Sequence, residues 1–162
     1  MSSLAIKIRL DANCGADFDT ENPLVRQAYN GLVTYKLQYE AGCIKSSSGS
    51  YCFANAITNV TAPSDAYVYY LPLGVGLPGG ARPTCNQCLK ETMGVYASGA
   101  ANASLPVSRT YGDAASSINI LCGPTFVNGS VAVTSGAITS RLQGNGITGL
   151  VMLLVVLCNM LL

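Results

Sequence analysis

The chain has 162 residues, of which 49% are hydrophobic, and its formal net charge is +1. This length allows one domain with a hydrophobic core, and a charge near zero gives no electrostatic attraction to nucleic acid. No histidine is present, which removes the commonest general base and metal ligand. We therefore expect a non-enzymatic protein without a catalytic site, cofactor, bound metal or nucleic-acid partner.

Cysteines and glycosylation sequons both indicate an oxidising, extracellular compartment. Six of the seven cysteines lie in the body of the chain, and Cys158 lies in a hydrophobic tail. An even set in a small body predicts disulfides, with the candidates Cys14, Cys43, Cys52, Cys85, Cys88 and Cys122. Three Asn-x-Ser/Thr sequons predict N-glycosylation at Asn59, Asn102 and Asn128. Only 10% of the residues are charged, and glycans would supply the missing solubility.

The first ten residues do not form a signal peptide, because Lys7 and Arg9 interrupt the apolar run. Since the rest of the chain has a secreted character, we expect residues 1–10 to be a truncated or non-native start. A cysteine-rich helical domain is predicted over residues 11–133.

Acidic residues precede the first predicted helix. Asp17, Asp19 and Glu21 alternate like half of a calcium loop, but the loop glycine and the distant glutamate are missing, so we predict an acidic loop. Asn22 followed by Pro23 is a helix start, and apolar spacing predicts a helix over 23–41.

A serine-rich loop then separates Cys43 from Cys52, so a local bridge between these two cysteines is a candidate. Residues 51–60 predict one or two helical turns. The aromatic segment 65–73 predicts an extended strap lying on the helices, since no partner strand is evident.

Glycines then follow at Gly74, Gly76 and Gly79 in a G-x-G-x-x-G pattern. A phosphate cradle needs a helix to begin at once, whereas Pro78 and Pro83 interrupt the segment, so a plain loop is predicted.

The central prediction is a helix over 84–101 that carries Cys85 and Cys88 near its start. Helical spacing places one set of residues on a single stripe, namely Cys85, Cys88, Leu89, Thr92, Met93 and Tyr96. A redox pair would need a βαβ setting, and zinc would need a second close pair or histidines. Structural disulfides to two other segments are therefore favoured. A last helix is predicted over 108–122.

The C-terminal pattern is typical of a glycolipid (GPI) attachment signal. Small residues at 135–137 precede a polar spacer, which completes the segment 134–146, and the apolar tail is 147–162. This predicts attachment at Ser135, with Gly136 next, and a membrane partner through the lipid. A true span is the competitor, but these residues reach only about 24 Å of the ~30 Å hydrocarbon core.

Several short motifs occur in a specific order along residues 11–130. They are Asn13-Cys14-Gly15-Ala16-Asp17, Ser50-Tyr51-Cys52, Tyr69-Tyr70-Leu71-Pro72-Leu73-Gly74, Thr84-Cys85-Asn86-Gln87-Cys88-Leu89 with Met93, and Cys122-Gly123-Pro124-Thr125-Phe126-Val127-Asn128. This ordered pattern resembles a fungal family known as domain of unknown function 7729. The resemblance implies a secreted, cysteine-rich, often GPI-anchored surface protein without assigned catalytic residues. Members usually carry a signal peptide and a further cysteine-containing half before this one, so it also implies a truncated start.

The sequence thus predicts a mainly α fold: a small disulfide-bridged helical domain with long irregular loops and a C-terminal hydrophobic tail. The expected function is anchored, glycosylated display at a fungal cell surface or wall, with cell-wall polysaccharide as a further partner. Two alternatives remain open. One is an extracellular ligand- or carbohydrate-binding module using Tyr67, Tyr69 and Tyr70. The other is an extracellular enzyme using a pair of carboxylates.

Overall fold

The computed structural model describes residues 14–17 and 19–132, and this part of the chain is mainly helical. The β-pairing between described residues is limited to isolated bridging, as between Lys45 and Tyr51. The predicted disulfide-bridged helical fold is therefore confirmed. Ser135, Gly136 and the predicted tail lie outside the described residues. The elements are α1 (Pro23–Val33), α2 (Tyr35–Gly42), α3 (Cys52–Thr58), a 3₁₀ helix (Pro63–Leu73), α4 (Gln87–Ala100) and α5 (Val107–Cys122).

The helix predicted over 23–41 is divided at Thr34 into α1 and α2. Its start is as predicted, because the Asn22 side chain accepts a hydrogen bond from the Leu24 N–H at 3.1 Å and Pro23 follows. Thr34 is buried, and its hydroxyl donates to the Asn30 carbonyl. A threonine hydroxyl that bonds the preceding turn bends a helix, and the periodicity of apolar residues does not reveal that bend.

The 3₁₀ helix Pro63–Leu73, called the strap below, contacts each of the α-helices. We expected an extended segment here, and that prediction is wrong in its backbone conformation, although the segment does lie on the helices. With no neighbouring strand, the backbone pairs its polar groups within the segment instead. Its own side chains Val68 and Leu71 are buried in the core. Gly74, at φ +82°, ends the strap in a conformation that favours glycine.

Helices α4 and α5 form the centre of the molecule, as predicted for 84–101 and 108–122. Helix α4 begins a few residues later than expected, because Asn86 caps it by accepting a hydrogen bond from the Leu89 N–H at 2.9 Å. The buried stripe of α4 matches the predicted one in Leu89, Thr92, Met93 and Tyr96. At Gly99 a Cβ would lie 2.7 Å from the Leu37 side chain, so glycine permits the close packing of α2 on α4.

Candidate functional site

Two disulfides join the start of α4 to segments on either side of it in sequence. Cys52 bonds Cys88, and Cys85 bonds Cys122, with a Cα–Cα distance of 5.5 Å in each bridge. The two close cysteines therefore hold different segments, which confirms the structural interpretation over the redox and zinc alternatives.

The predicted local bridge between Cys43 and Cys52 is wrong. Cys52 is buried on α3 and bonds Cys88 on α4, whereas Cys43 stays exposed just after α2. Cys14 and Cys43 have no disulfide partner among the described residues, so a bridge at either remains a prediction.

A polar groove of about 290 Å³ lies beside the Cys52–Cys88 bridge. Asp65 is the only carboxylate among the described residues that line it, and both Asp65 oxygens are already engaged. Oδ1 accepts from the Thr84 N–H at 2.6 Å, and Oδ2 accepts from the Thr84 hydroxyl at 3.1 Å and the Asn59 amide at 3.2 Å. Asp65 therefore ties the strap to the segment before α4. A glycosidase uses two carboxyl groups, and the described residues that line this groove supply one.

A second groove, called the tyrosine groove below, has a volume of about 280 Å³. Phe53 and Tyr69 meet there edge to face, with ring centroids 4.9 Å apart. Tyr70 lines the same groove and is 47% exposed. Tyr67 is exposed but lies outside it. No charged side chain lines this groove within the part of the chain that the structure describes, where the lining residues are Gln38, Gly42, Phe53, Ile57, Ala66, Tyr69, Tyr70, Leu73 and Tyr96.

Tyr96 contributes an unpaired hydroxyl to the tyrosine groove. The residue is 1% exposed, and its hydroxyl makes no hydrogen bond with a described residue, whereas the Tyr69 hydroxyl is 3.3 Å from the Thr92 hydroxyl. No fully buried side-chain N or O atom of the described residues lacks a partner. The Tyr96 hydroxyl must therefore reach the groove surface. Sequence analysis placed Tyr96 on the core stripe, and nothing in the local sequence indicates that its hydroxyl is unpaired.

The buried tyrosine is expected to destabilise the fold in alkaline solution. Burial raises the pKa of Tyr96 above the value of about 10 that it has in an unfolded chain. The folded chain then keeps a proton that the unfolded chain loses. The free energy of unfolding should be level below pH ~10 and fall above it, by up to about 1.4 kcal/mol per pH unit for this group.

The test is urea unfolding from pH 8 to pH 11, with the thiols alkylated to prevent disulfide exchange. Tyr96→Phe should make the alkaline decline shallower, while Tyr35→Phe, at an exposed tyrosine, should keep the wild-type slope. Equal slopes for the wild type and Tyr96→Phe would contradict the prediction.

The predicted sequons share one local geometry. The side-chain oxygens of Asn59, Asn102 and Asn128 each accept a hydrogen bond from the backbone N–H two residues later, at 3.2, 3.0 and 3.1 Å. These are Asx turns, which are typical of surface loops. Asn102 and Asn128 are exposed, while Asn59 is half-buried at the end of α3.

The remaining motifs form no site in the part of the chain that the structure describes. Its carboxylate and cysteine side chains form no cluster suited to a metal ion. The Glu21 carboxylate forms a salt bridge with Arg26 and does not join the neighbouring acids in a cation site. The glycine-rich segment is a loop after Gly74, as predicted, because the next helix begins only at Gln87. Within residues 14–17 and 19–132, no helix is long and apolar enough to cross a membrane.

Comparison with known proteins gives one match. The sequence profile of a family described as Domain of unknown function (DUF7729) matches residues 1–131. No curated protein and no solved structure matches the chain. The match extends through all the described helices and both disulfides, and it agrees with the resemblance carried by the ordered cysteine motifs. The chain therefore belongs to the family described as Domain of unknown function (DUF7729).

Proposed function

We propose that the chain is a non-enzymatic, N-glycosylated protein displayed on a fungal cell surface or in the cell wall, held there by a GPI anchor. The observation that carries the proposal is the pair of disulfides that both begin in one turn at the start of α4. Stable structural disulfides are typical of secreted proteins and rare in the cytosol.

Two further features support display outside the cell. The three sequons lie in Asx turns at or near the surface, where glycans would cover a weakly charged body. The sequence after residue 132 has the small triplet, spacer and apolar tail of an attachment signal. In this proposal the disulfides resist extracellular conditions, the anchor at Ser135 or Gly136 retains the body, and cell-wall polysaccharide is a neighbouring partner.

The proposal is tested by expressing the chain behind an added signal peptide in a fungal host. A phospholipase that cleaves GPI anchors should release a glycosylated body that lacks residues 147–162. Ser135→Leu combined with Gly136→Leu should abolish this release, because attachment sites require small residues. Ser140→Leu, in the spacer, is the matched control and should retain it. An intact, unglycosylated chain inside the cell would overturn the proposal.

Glycosylation is measured separately by mass before and after enzymatic deglycosylation. The triple variant Asn59→Gln, Asn102→Gln and Asn128→Gln should show no mass loss. Asn55→Gln, at an exposed asparagine outside any sequon, should behave as the wild type does. An unchanged mass of the wild-type protein after treatment would contradict glycosylation while leaving the anchor to its own test.

A ligand-binding module is the second candidate function, and the tyrosine groove favours it. A groove built on Tyr67, Tyr69 and Tyr70 was expected to need two or more of them exposed together, whereas Tyr70 is exposed and Tyr69 is half-buried. Tyr69 and Tyr70 line the same groove, joined there by Phe53. Aromatic side chains around a concave, mostly apolar surface are the usual lining of a small-molecule site.

A further inference from the structure

We infer that the tyrosine groove binds a neutral, planar aromatic molecule that carries one hydroxyl or carbonyl group, and that the Tyr96 hydroxyl is its hydrogen-bond partner. This inference rests on the second candidate function and narrows it to a site and a ligand class. It does not depend on glycosylation or on the anchor.

The shape and size of the groove point to a small ligand. Its volume of about 280 Å³ is at the lower end of the range for small-molecule pockets, which suits one or two fused rings. Phe53, Tyr69 and Tyr70 provide aromatic rings for offset or edge-to-face packing. Phe53 already packs in this way on Tyr69, with an interplanar angle of 65°.

The absence of charge from the lining residues selects a neutral ligand. None of the residues that line the groove is ionised at neutral pH, so a charged ligand would lose its hydration without gaining a counter-charge. Burial of an unpaired charge is strongly unfavourable. A sugar fits poorly as well, because its several hydroxyls need several partners. The Tyr69 hydroxyl already pairs with Thr92, and the Gln38 amide nitrogen already donates to Thr34.

Tyr96 is the most buried of the tyrosines that line the groove, and its hydroxyl supplies the polar contact at a fixed position. It lies on a residue that is 1% exposed, and no described residue accepts its hydrogen bond. A hydroxyl in this position gains from any ligand oxygen that reaches it. The Tyr96 ring is held on α4 within the buried core, so its position is fixed before a ligand arrives.

The experiment uses the purified, secreted protein with both disulfides intact and three probes of one shape. These are 2-naphthol, naphthalene and naphthalene-2-sulfonate, titrated by fluorescence. We expect 2-naphthol to bind roughly 3- to 10-fold more tightly than naphthalene, since one hydrogen bond is gained. The sulfonate should bind at least about 10-fold more weakly than 2-naphthol.

Three variants locate the binding. Tyr96→Phe should remove the preference for 2-naphthol over naphthalene. Gly42→Leu should obstruct both, because Gly42 lines the groove and a Cβ there meets no other atom within 4 Å, which leaves room for a larger side chain beside the ligand. Tyr35→Phe, at an exposed tyrosine outside the groove, should leave all three affinities as they are.

Specific outcomes would overturn the inference. One is the absence of 2-naphthol binding up to millimolar concentration. Others are an unchanged preference in Tyr96→Phe, binding that survives Gly42→Leu, or equal affinity for the sulfonate. Each of these leaves anchored display intact, since release by phospholipase is measured on cells without any ligand. Conversely, failure of that release would leave the binding result unaffected.

Discussion

Replacing Cys85 and Cys122 together by serine is expected to lower the free energy of unfolding by about 4 kcal/mol. Their bridge closes a loop with a sequence separation of 37 residues, and the chain-entropy relation gives about this cost for a loop of that length. Cys85 is exposed and Cys122 is half-buried, so the serine hydroxyls add little desolvation of their own. Denaturant unfolding measures the loss. Because removing a bridge changes the unfolded chain, the slope of the unfolding free energy against denaturant concentration is fitted separately for the variant.

Cys43→Ser is the matched control for the double variant. Cys43 is exposed and has no disulfide partner among the described residues, so the change should stay within about 0.5 kcal/mol of the wild type. Peptide mapping under non-reducing conditions gives an independent check. A double variant as stable as the wild type, or a peptide in which Cys122 pairs with another cysteine, would contradict the assigned bridge.

Leu71→Ala is expected to destabilise the fold by about 3–5 kcal/mol. Leu71 is fully buried near the C-terminal end of the strap, and the strap contacts each of the helices. Truncating a buried leucine removes its transfer free energy and leaves a cavity that rigid neighbours fill poorly. The Leu71 carbonyl also accepts a hydrogen bond from the Thr110 hydroxyl at 2.9 Å, which limits how far the strap can relax.

The control for this variant is Leu24→Ala, at a leucine of α1 that is 77% exposed. Alanine favours helix slightly more than leucine does, so the control should change stability by only a few tenths of a kcal/mol. Thermal and urea unfolding of both variants distinguish core burial from a general effect of losing leucine. Equal, small losses in the two would show that the strap does not organise the core.

Helical periodicity correctly predicted those parts of the fold whose structure depends on the local sequence of a single helix. The stripe from Leu89 to Tyr96 is buried as predicted, because spacing along a single helix is a local property. The strap was assigned the wrong conformation, since β-propensity reflects neighbouring strands that this segment does not have. Likewise, the bend at Thr34 depends on the orientation of one hydroxyl within the packed molecule.

The candidate site was only partly predictable for a similar reason. Tyr69 and Tyr70 were proposed as groove residues, and the structure places both in one groove. Phe53 and Tyr96 were missed, because they come from α3 and α4 and meet the strap only after folding. The disulfide partners were also beyond sequence analysis, since six cysteines allow 15 connectivities. The observed pairs join segments 36 and 37 residues apart.

The overlap of the two bridges limits how far this protein can be stretched. Cys52 and Cys122 are about 70 residues apart in sequence, which is roughly 240 Å of extended chain. A covalent shortcut runs from Cys52 to Cys88, back three residues to Cys85, and on to Cys122, crossing two Cα–Cα distances of 5.5 Å. Along this route the two ends cannot be separated by more than about 20 Å. Tension applied on the two sides of this segment therefore passes through the bridges and bypasses the chain enclosed between them, a property that would suit the anchored display proposed above.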